Sequence, residues 1–384
     1  MNWLFVLPVI SASVSFLLST SNKSYEGIPK FDIQEIDGNI AIGYGLEIGD
    51  VDGDGNDDIL LADKTQIVWY RNPDWQRFVM VDQLTERDNV CIAARDINGD
   101  GQVEVAVGAQ WNPGETSDPT LSGSVHYLIR PADPTQLWEA IKLHHEPTVH
   151  RMRWVKAGDS FNLVVLPLHG RGNRNGEGEG VNVMAYQVPE DPRTEWSYSI
   201  IDKTMRQTHN FDVVEENGKE ALWIGGKEGV KIFQNENGKW RLSNSTNWLI
   251  SDNGFGEIRK GKEVLAGIQP MHGNELVVYT ESSGRKLLTD QLKQGHALAC
   301  IDLLSQGYEQ VVAGWREKND EEVLGIKIFV SEDPEWTKWT SFWIDQDGMA
   351  CEDLKVADLD GDGKMDIIAA GRSTRNLRIY WNKS

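Results

Sequence analysis

The chain has 384 residues, 40 % of them hydrophobic and 25 % charged, the composition of a folded globular protein. Its formal net charge of −21 excludes binding to nucleic acid or to an anionic membrane surface through a broad field. Much of that negative charge lies in Asp-rich loops, where bound cations would neutralise it.

Residues 3–19 (WLFVLPVISASVSFLLS) are an uncharged apolar run followed by small and polar residues. They read as part of a signal peptide over 1–23, which places the mature protein outside the cytoplasm, secreted or periplasmic. Pro8 and several Ser interrupt the run, and it is short for a membrane span. No later segment is apolar enough to cross a membrane, so residues 28–384 are expected to form one domain without a span. The three cysteines, Cys91, Cys300 and Cys351, fall inside apolar strand patterns and read as buried free thiols rather than a disulfide framework.

The chain then repeats itself. Gly49–Asp63 (GDVDGDGNDDILLAD), Arg95–Ala109 (RDINGDGQVEVAVGA) and Ala357–Gly371 (ADLDGDGKMDIIAAG) share one pattern: an apolar strand, D-x-[DN]-G-D-G-x-x-[DE], and a second apolar strand. Four further segments lack the loop but keep the second strand: NLVVLP (162–167), EALWIGG (220–226), EVLAG (263–267) and EQVVAG (309–314). After each copy come a third strand, such as IVWY (67–70) or LRIY (377–380), and a turn that often ends in Trp (Trp75, Trp196, Trp240, Trp339). A fourth strand follows, as in RFVMVDQL (77–84). Four short strands in a repeat of about fifty residues mark a propeller blade. Seven copies predict an all-β, seven-bladed β-propeller. The seventh copy ends after its third strand, and FDIQEID (31–37) resembles the fourth strand SFWIDQ (341–346). The N-terminal strand is therefore expected to complete the last blade and close the ring, which removes the free sheet edges of an open array.

The loops have the composition of a cation site. Asp50, Asp52, Asp54 and Asp58 stand at positions 1, 3, 5 and 9, as do Asp96, Asn98, Asp100 and Glu104, and Asp358, Asp360, Asp362 and Asp366. Hard cations take six or more oxygens, and this spacing wraps a short loop around structural Ca2+. The flanking strands and the lack of Glu at position 12 exclude a helical EF-hand. D-x-D-G-D-G between two strands resembles the FG-GAP and VCBS repeats, a resemblance that implies the propeller fold but not one function.

Counting back six residues from the first loop position reaches the start of each innermost strand. There the blades carry Tyr44, Val90, His150, His209, a position between Gly254 and Glu257 in blade 5, His296, and Glu352. Innermost strands line the central channel, so His150, His209 and His296, with Glu352, are expected to converge at one end of the axis. Three His with an open position suit zinc or a similar divalent metal. Each His taken singly would read as a strand cap. The connections between second and third strands open at the same end. They carry His169, Arg171 and Arg174 in blade 3, Lys227 in blade 4, His272 in blade 5, Trp315 and Arg316 in blade 6, and Arg372 in blade 7. The segment entering blade 3 adds His144, His145 and Glu146. Acid–base groups, cations and an indole platform are thus expected over the metal. The candidate catalytic residues are Tyr44, His145, His169, Arg171 and His272.

A metal that polarises a ketone or carboxylate acidifies the neighbouring C–H, and a positioned base then drives β-elimination. HHEPTVHRMRW (144–154), QTHNFD (207–212) and GHALACIDL (295–303) resemble the propeller domain of the aldos-2-ulose (pyranosone) dehydratases. The resemblance implies a carbohydrate substrate, a metal-dependent dehydration of oxidised sugars of the aldos-2-ulose or anhydrofructose type, and His150, His209 and His296 as the ligands. The cupin domains of the fungal members have no counterpart in these residues, so the resemblance implies no isomerase step. Two other readings stay open: a polysaccharide lyase on the same fold, with Arg pairing substrate carboxylates, and a non-catalytic propeller that binds carbohydrate or protein.

Overall fold

The computed structural model describes Met1 and residues 27–243, 253–281, 283–333 and 335–384; the expected signal peptide, apart from Met1, lies outside them. Twenty-eight strands, β1–β28 in chain order, form seven four-stranded antiparallel sheets among these residues. The strand nearest the axis is β2 (Gly45–Gly49) in blade 1 and β6 (Cys91–Arg95) in blade 2. In blades 3 to 7 it is β10 (Val149–Ala157), β14 (Thr208–Glu216), β18 (Glu257–Lys260), β22 (Gly295–Ile301) and β26 (Cys351–Ala357). The last sheet runs β26, β27 (Asp366–Gly371), β28 (Leu377–Asn382) and then β1 (Phe31–Asp37). The N-terminal strand thus closes the ring, with Phe31 opposite Asn382 and Ile33 opposite Tyr380.

The burial gradient follows the sequence. Second strands carry continuous apolar runs that are buried, along the whole strand in DILLA (58–62) and DIIAAG (366–371) and after the first two residues in β11 (Ser160–Pro167) and β15 (Lys219–Gly226). A strand covered by a neighbouring blade on each face needs no polar side. Outermost strands such as β1 and YSIID (198–202) are largely exposed. The apolar core is divided among the seams between blades. One cluster joins Val90, Cys91 and Val125 of blade 2 to Met152, Trp154 and Leu163 of blade 3. Another joins Leu46 and Leu61 of blade 1 to Ile368 and Ile379 of blade 7. Trp315, expected as an indole platform, belongs to such a seam: it is 2 % exposed, packs on Trp343 and donates to the Val323 carbonyl. An indole at the end of a continuous apolar strand gains more from the seam than from solvent. The cysteines are unpaired; Cys91 and Cys351 are buried, and Cys300 is half-buried. No helix of the described residues is long and apolar enough to cross a membrane.

Charged side chains span the middle of the axis. Arg153 of blade 3 and Lys355 of blade 7 both reach Glu47 of blade 1, at 3.0 and 2.8 Å. Arg151 lies 3.9 Å from Glu257, on blade 5. These pairs separate the end where the innermost strands begin from the end that carries the Asp/Gly loops.

Candidate metal centre at the propeller axis

Where the innermost strands begin, four blades share a backbone feature. In β10, Val149 pairs with Pro167 and Arg151 with Leu166, so His150 is the extra residue of a β-bulge. The same shift falls at His209, at His296 and at Glu352. The innermost strands of blades 1, 2 and 5 pair without it. A bulge turns one side chain out of the alternation of its strand.

The imidazoles are then fixed by the neighbouring blade. Nδ1 of His150 donates to the His209 carbonyl (2.8 Å), and Nδ1 of His209 donates to the Gly256 carbonyl (2.9 Å). Nδ1 of His296 donates to the Glu352 carbonyl. Each donor thus meets the residue at its own register in the next blade, which identifies Gly256 as the position of blade 5. With Nδ1 protonated, Nε2 of each neutral ring keeps its lone pair. Gly256 has a steric reason to be glycine: a Cβ there would lie 3.0 Å from the main-chain nitrogen of His272 and from the Met271 Cα. Blade 5 therefore contributes His272 from its connection between second and third strands instead of a register side chain.

His209, His272 and His296 bring one ligand atom each to within 4.8 Å of one another. Nε2 of His209 and Nε2 of His272 are 2.6 Å apart. Two lone pairs cannot face each other at that distance, so one of the two nitrogens carries a proton here; its loss on opening the contact slightly would leave both lone pairs to a metal. His150 stands beside the group, its ring 4.5 Å from that of His209 and 5.1 Å from Trp111. Burial pushes His150 and His296 well below the ordinary imidazole value, and His272 down to about 2. Burial also lowers His209, against the opposing pull of Glu257. All four rings are neutral near pH 7, the form that ligates metal. The chemistry of the donor set therefore fits a divalent cation held by His209, His272 and His296.

Glu257 lies behind His209. It is 1 % exposed, with Oε1 3.3 Å from His209 Nδ1, Oε2 accepting from Asn210 Nδ2, and Arg259 3.6 Å away. The sequence pattern brackets Glu257 in the open blade 5 register between Gly254 and Glu257 without giving it a role, and nothing in it points to Trp111.

The remaining candidates take other places. The Glu352 carboxylate is bound by Arg316 (3.0 Å) and Arg372 (2.9 Å), so its carbonyl and not its carboxylate meets His296. The Tyr44 hydroxyl donates to Asp88 (2.9 Å), and the Arg372 guanidinium lies 5.3 Å over its ring. Burial and Asp88 raise the Tyr44 phenol. His145 is set against the Glu146 carbonyl, and Arg171 pairs with the Glu146 carboxylate at 2.9 Å. His144 stacks on Tyr198. The His169 main chain bonds to Thr148, and its Nδ1 is buried without a hydrogen-bond partner. Lys227 donates to the Asn175 carbonyl. None of these groups is drawn into the cluster of His209, His272 and His296.

At the other end, the carboxylates of Asp50, Asp52 and Asp58 approach within 4.8 Å of one another, as do those of Asp358, Asp360 and Asp366. Asp52 Oδ1 and Asp358 Oδ1 are buried with no hydrogen-bond partner, so both loops have oxygens to offer a cation. Asp54 and Asp362 turn to main-chain N–H groups of their own loops. The blade 2 loop is more self-contained. Asn98 Nδ2 donates to Glu104 and Asp100, three main-chain N–H groups engage Asp96, and Arg130 lies 3.1 Å from Asp100.

Residues 122–282 match the family model of the aldos-2-ulose dehydratase β-propeller domain. Residues 50–107 match the FG-GAP-like repeat. The first match spans His150, His209 and His272; the second spans the first two Asp/Gly loops. No curated protein matches the chain in sequence. Its fold is similar to that of a chain in the crystal structure of the mitotic checkpoint complex, with a TM-score of 0.55 at 10 % identity over 100 % of this chain and 99 % of that one. It is also similar to BBS1N in two crystal structures with ARL6DN. Those TM-scores are 0.57 and 0.58 at 14 % and 12 % identity, over 93 % of this chain and 98 % of that one.

Proposed function

We propose that the protein is an exported, metal-dependent carbohydrate dehydratase or lyase that acts by β-elimination on an oxidised sugar. The observation that carries this reading is the convergence of His209, His272 and His296 at the axis, within a chain that matches a dehydratase propeller model over 122–282. Zn2+ or a similar divalent ion would be held by these three residues, where it supplies Lewis acidity to a substrate carbonyl. His150 has the role of base. Its Nδ1 is committed to the His209 carbonyl, burial keeps the ring neutral, and its free Nε2 stands beside the cluster. It takes the proton from the carbon next to the carbonyl, and the C–H electrons form the double bond as the β-oxygen leaves. The half-buried His272 is the least covered of the three and marks the side of approach. Arg372, 40 % exposed beside Glu352 and Tyr44, is placed to bind substrate oxygens. Ca2+ in the loops of Asp50, Asp52 and Asp58 and of Asp358, Asp360 and Asp366 has a structural role.

The test is metal analysis of the purified chain, with assay of aldos-2-uloses and anhydrofructose for the ultraviolet absorbance of an unsaturated product. His209→Ala is expected to lose metal and activity together. His150→Gln is expected to keep metal and lose activity. A chain without bound metal that gives no absorbance would remove the enzyme reading and leave that of a binding propeller.

A further inference from the structure

The axis has a second opening, and it has a different chemistry. A recess of about 420 Å³ lies at the Asp/Gly-loop end of the channel, beyond the Arg153–Glu47–Lys355 layer. Arg95, Arg153, Arg259, Lys260 and Lys355 line it against the carboxylates of Glu47 and Asp212. In a chain of net charge −21, a cation-rich cavity is not a consequence of composition.

The cations are unevenly neutralised. Arg95 is held by Glu220 at 2.7 Å, and Glu47 is shared by Arg153 and Lys355. Asp212 accepts from the main-chain N–H groups of Val213 and Lys260. Among the described residues, Arg259 pairs with Glu257 alone, at 3.6 Å, and donates otherwise to the Ile258 carbonyl. The Lys260 ammonium meets the carbonyls of Gly261 and Lys262 and no carboxylate within 4.0 Å among the described residues. Blades 2 and 6 contribute Ala93 and Ala299 to the wall, which leaves the space that the larger side chains of the other blades would fill. Burial and the neighbouring Arg153 hold the Lys355 ammonium below its ordinary value, as expected where like charges crowd.

We propose that this recess binds a small organic or inorganic oxyanion, a carboxylate or a phosphate, with Arg259 and Lys260 as its principal donors. Guanidinium and ammonium groups in a partly enclosed site form charge-assisted hydrogen bonds to such groups, and low-dielectric walls strengthen them. The site opens at the other end of the axis from the histidine centre, to which Arg259 is linked only through Glu257, and it does not depend on the reaction proposed there.

The experiment is calorimetric titration of the full chain, in calcium at low ionic strength, with inorganic phosphate and, separately, with succinate. At least one probe is expected to bind at one site per chain and to weaken as salt is added. Arg259→Gln and Lys260→Gln are each expected to weaken that binding about tenfold, and Lys260→Gln, which leaves no carboxylate unpaired, to do so without lowering the thermal midpoint. A response to one probe alone identifies the anion class. Absence of saturable binding by either probe overturns the proposal. So does binding that both variants retain, or binding that is lost in Arg372→Gln instead, which would place the anion at the opposite end.

Discussion

Glu257→Gln tests the proposed metal centre without touching one of its three candidate ligands. The carboxylate is 1 % exposed and lies 3.3 Å from Nδ1 of His209, whose proton also reaches the Gly256 carbonyl at 2.9 Å. Oε2 accepts from Asn210 Nδ2, and Asn210 Oδ1 is already committed to the Phe211 N–H. A glutamine has one oxygen and one NH2 group. Whichever way it turns, a donor faces the donor of His209 or that of Asn210. Losing the charge also leaves Arg151 and Arg259 without their shared carboxylate. Removing a hydrogen-bond partner behind a metal-bound His typically lowers affinity by about 10- to 100-fold. Because Gly256 remains as an acceptor, the lower end applies: about tenfold, or about 1.4 kcal/mol. Competition with a chromophoric chelator for Zn2+, at fixed pH, measures it. His209→Ala in the same assay is expected to lose far more. If His209→Ala abolishes binding while Glu257→Gln matches the wild type, Glu257 does not tune the centre. If neither variant changes affinity, the ion is not held by these histidines.

The loops make a prediction about pH. Burial raises the Asp58 carboxyl from 3.8 to about 7, so between those values the folded chain holds a proton that the unfolded chain releases, and stability falls as pH rises through that window. The neutral buried histidines act in the opposite direction, so the difference between variants is the readout. In chelator, Asp58→Asn is expected to gain thermal stability relative to wild type from pH 5 to 7, and a flat difference would refute the shift. Calcium at 100 times its dissociation constant adds about 2.7 kcal/mol per site. Asp52→Asn and Asp358→Asn should each lose such an increment in calcium and change little in chelator; equal losses in both conditions would mean that no ion is bound. Deleting residues 27–37 strips β1 from β28 and exposes a sheet edge, so the truncated chain should aggregate or lose its cooperative transition; an unchanged melt would mean that closure carries no stability. Cys91 and Cys351 should resist alkylation in the folded chain, and rapid labelling of either would contradict the packing of the seams.

The propeller was legible because its repeat is written in properties that a linear chain displays. Apolar runs that pack against a blade on both faces stay continuous in sequence, and Asp/Gly loops fix where each blade begins. The axis inherits one position per blade, which is why counting back from the loops reached His150, His209 and His296. The limits of that counting have physical causes. At Gly256 the register holds no side chain, and the space it leaves is taken by His272, which arrives through a connection of different length in each blade. The bulges at His150, His209, His296 and Glu352 exist only in the pairing of two strands, so no pattern along one strand announces them. Glu352 shares the bulged register of the histidines, yet the guanidiniums of Arg316 and Arg372 come from two connections and claim its carboxylate. Trp315 is the last residue of its strand rather than part of the connection, so its indole enters the seam, while Arg316, the first residue past the strand, reaches Glu352 at the axis. A repeat therefore reveals what every blade contributes equally. The chemistry depends on what single blades contribute differently, and that becomes visible only where the blades meet.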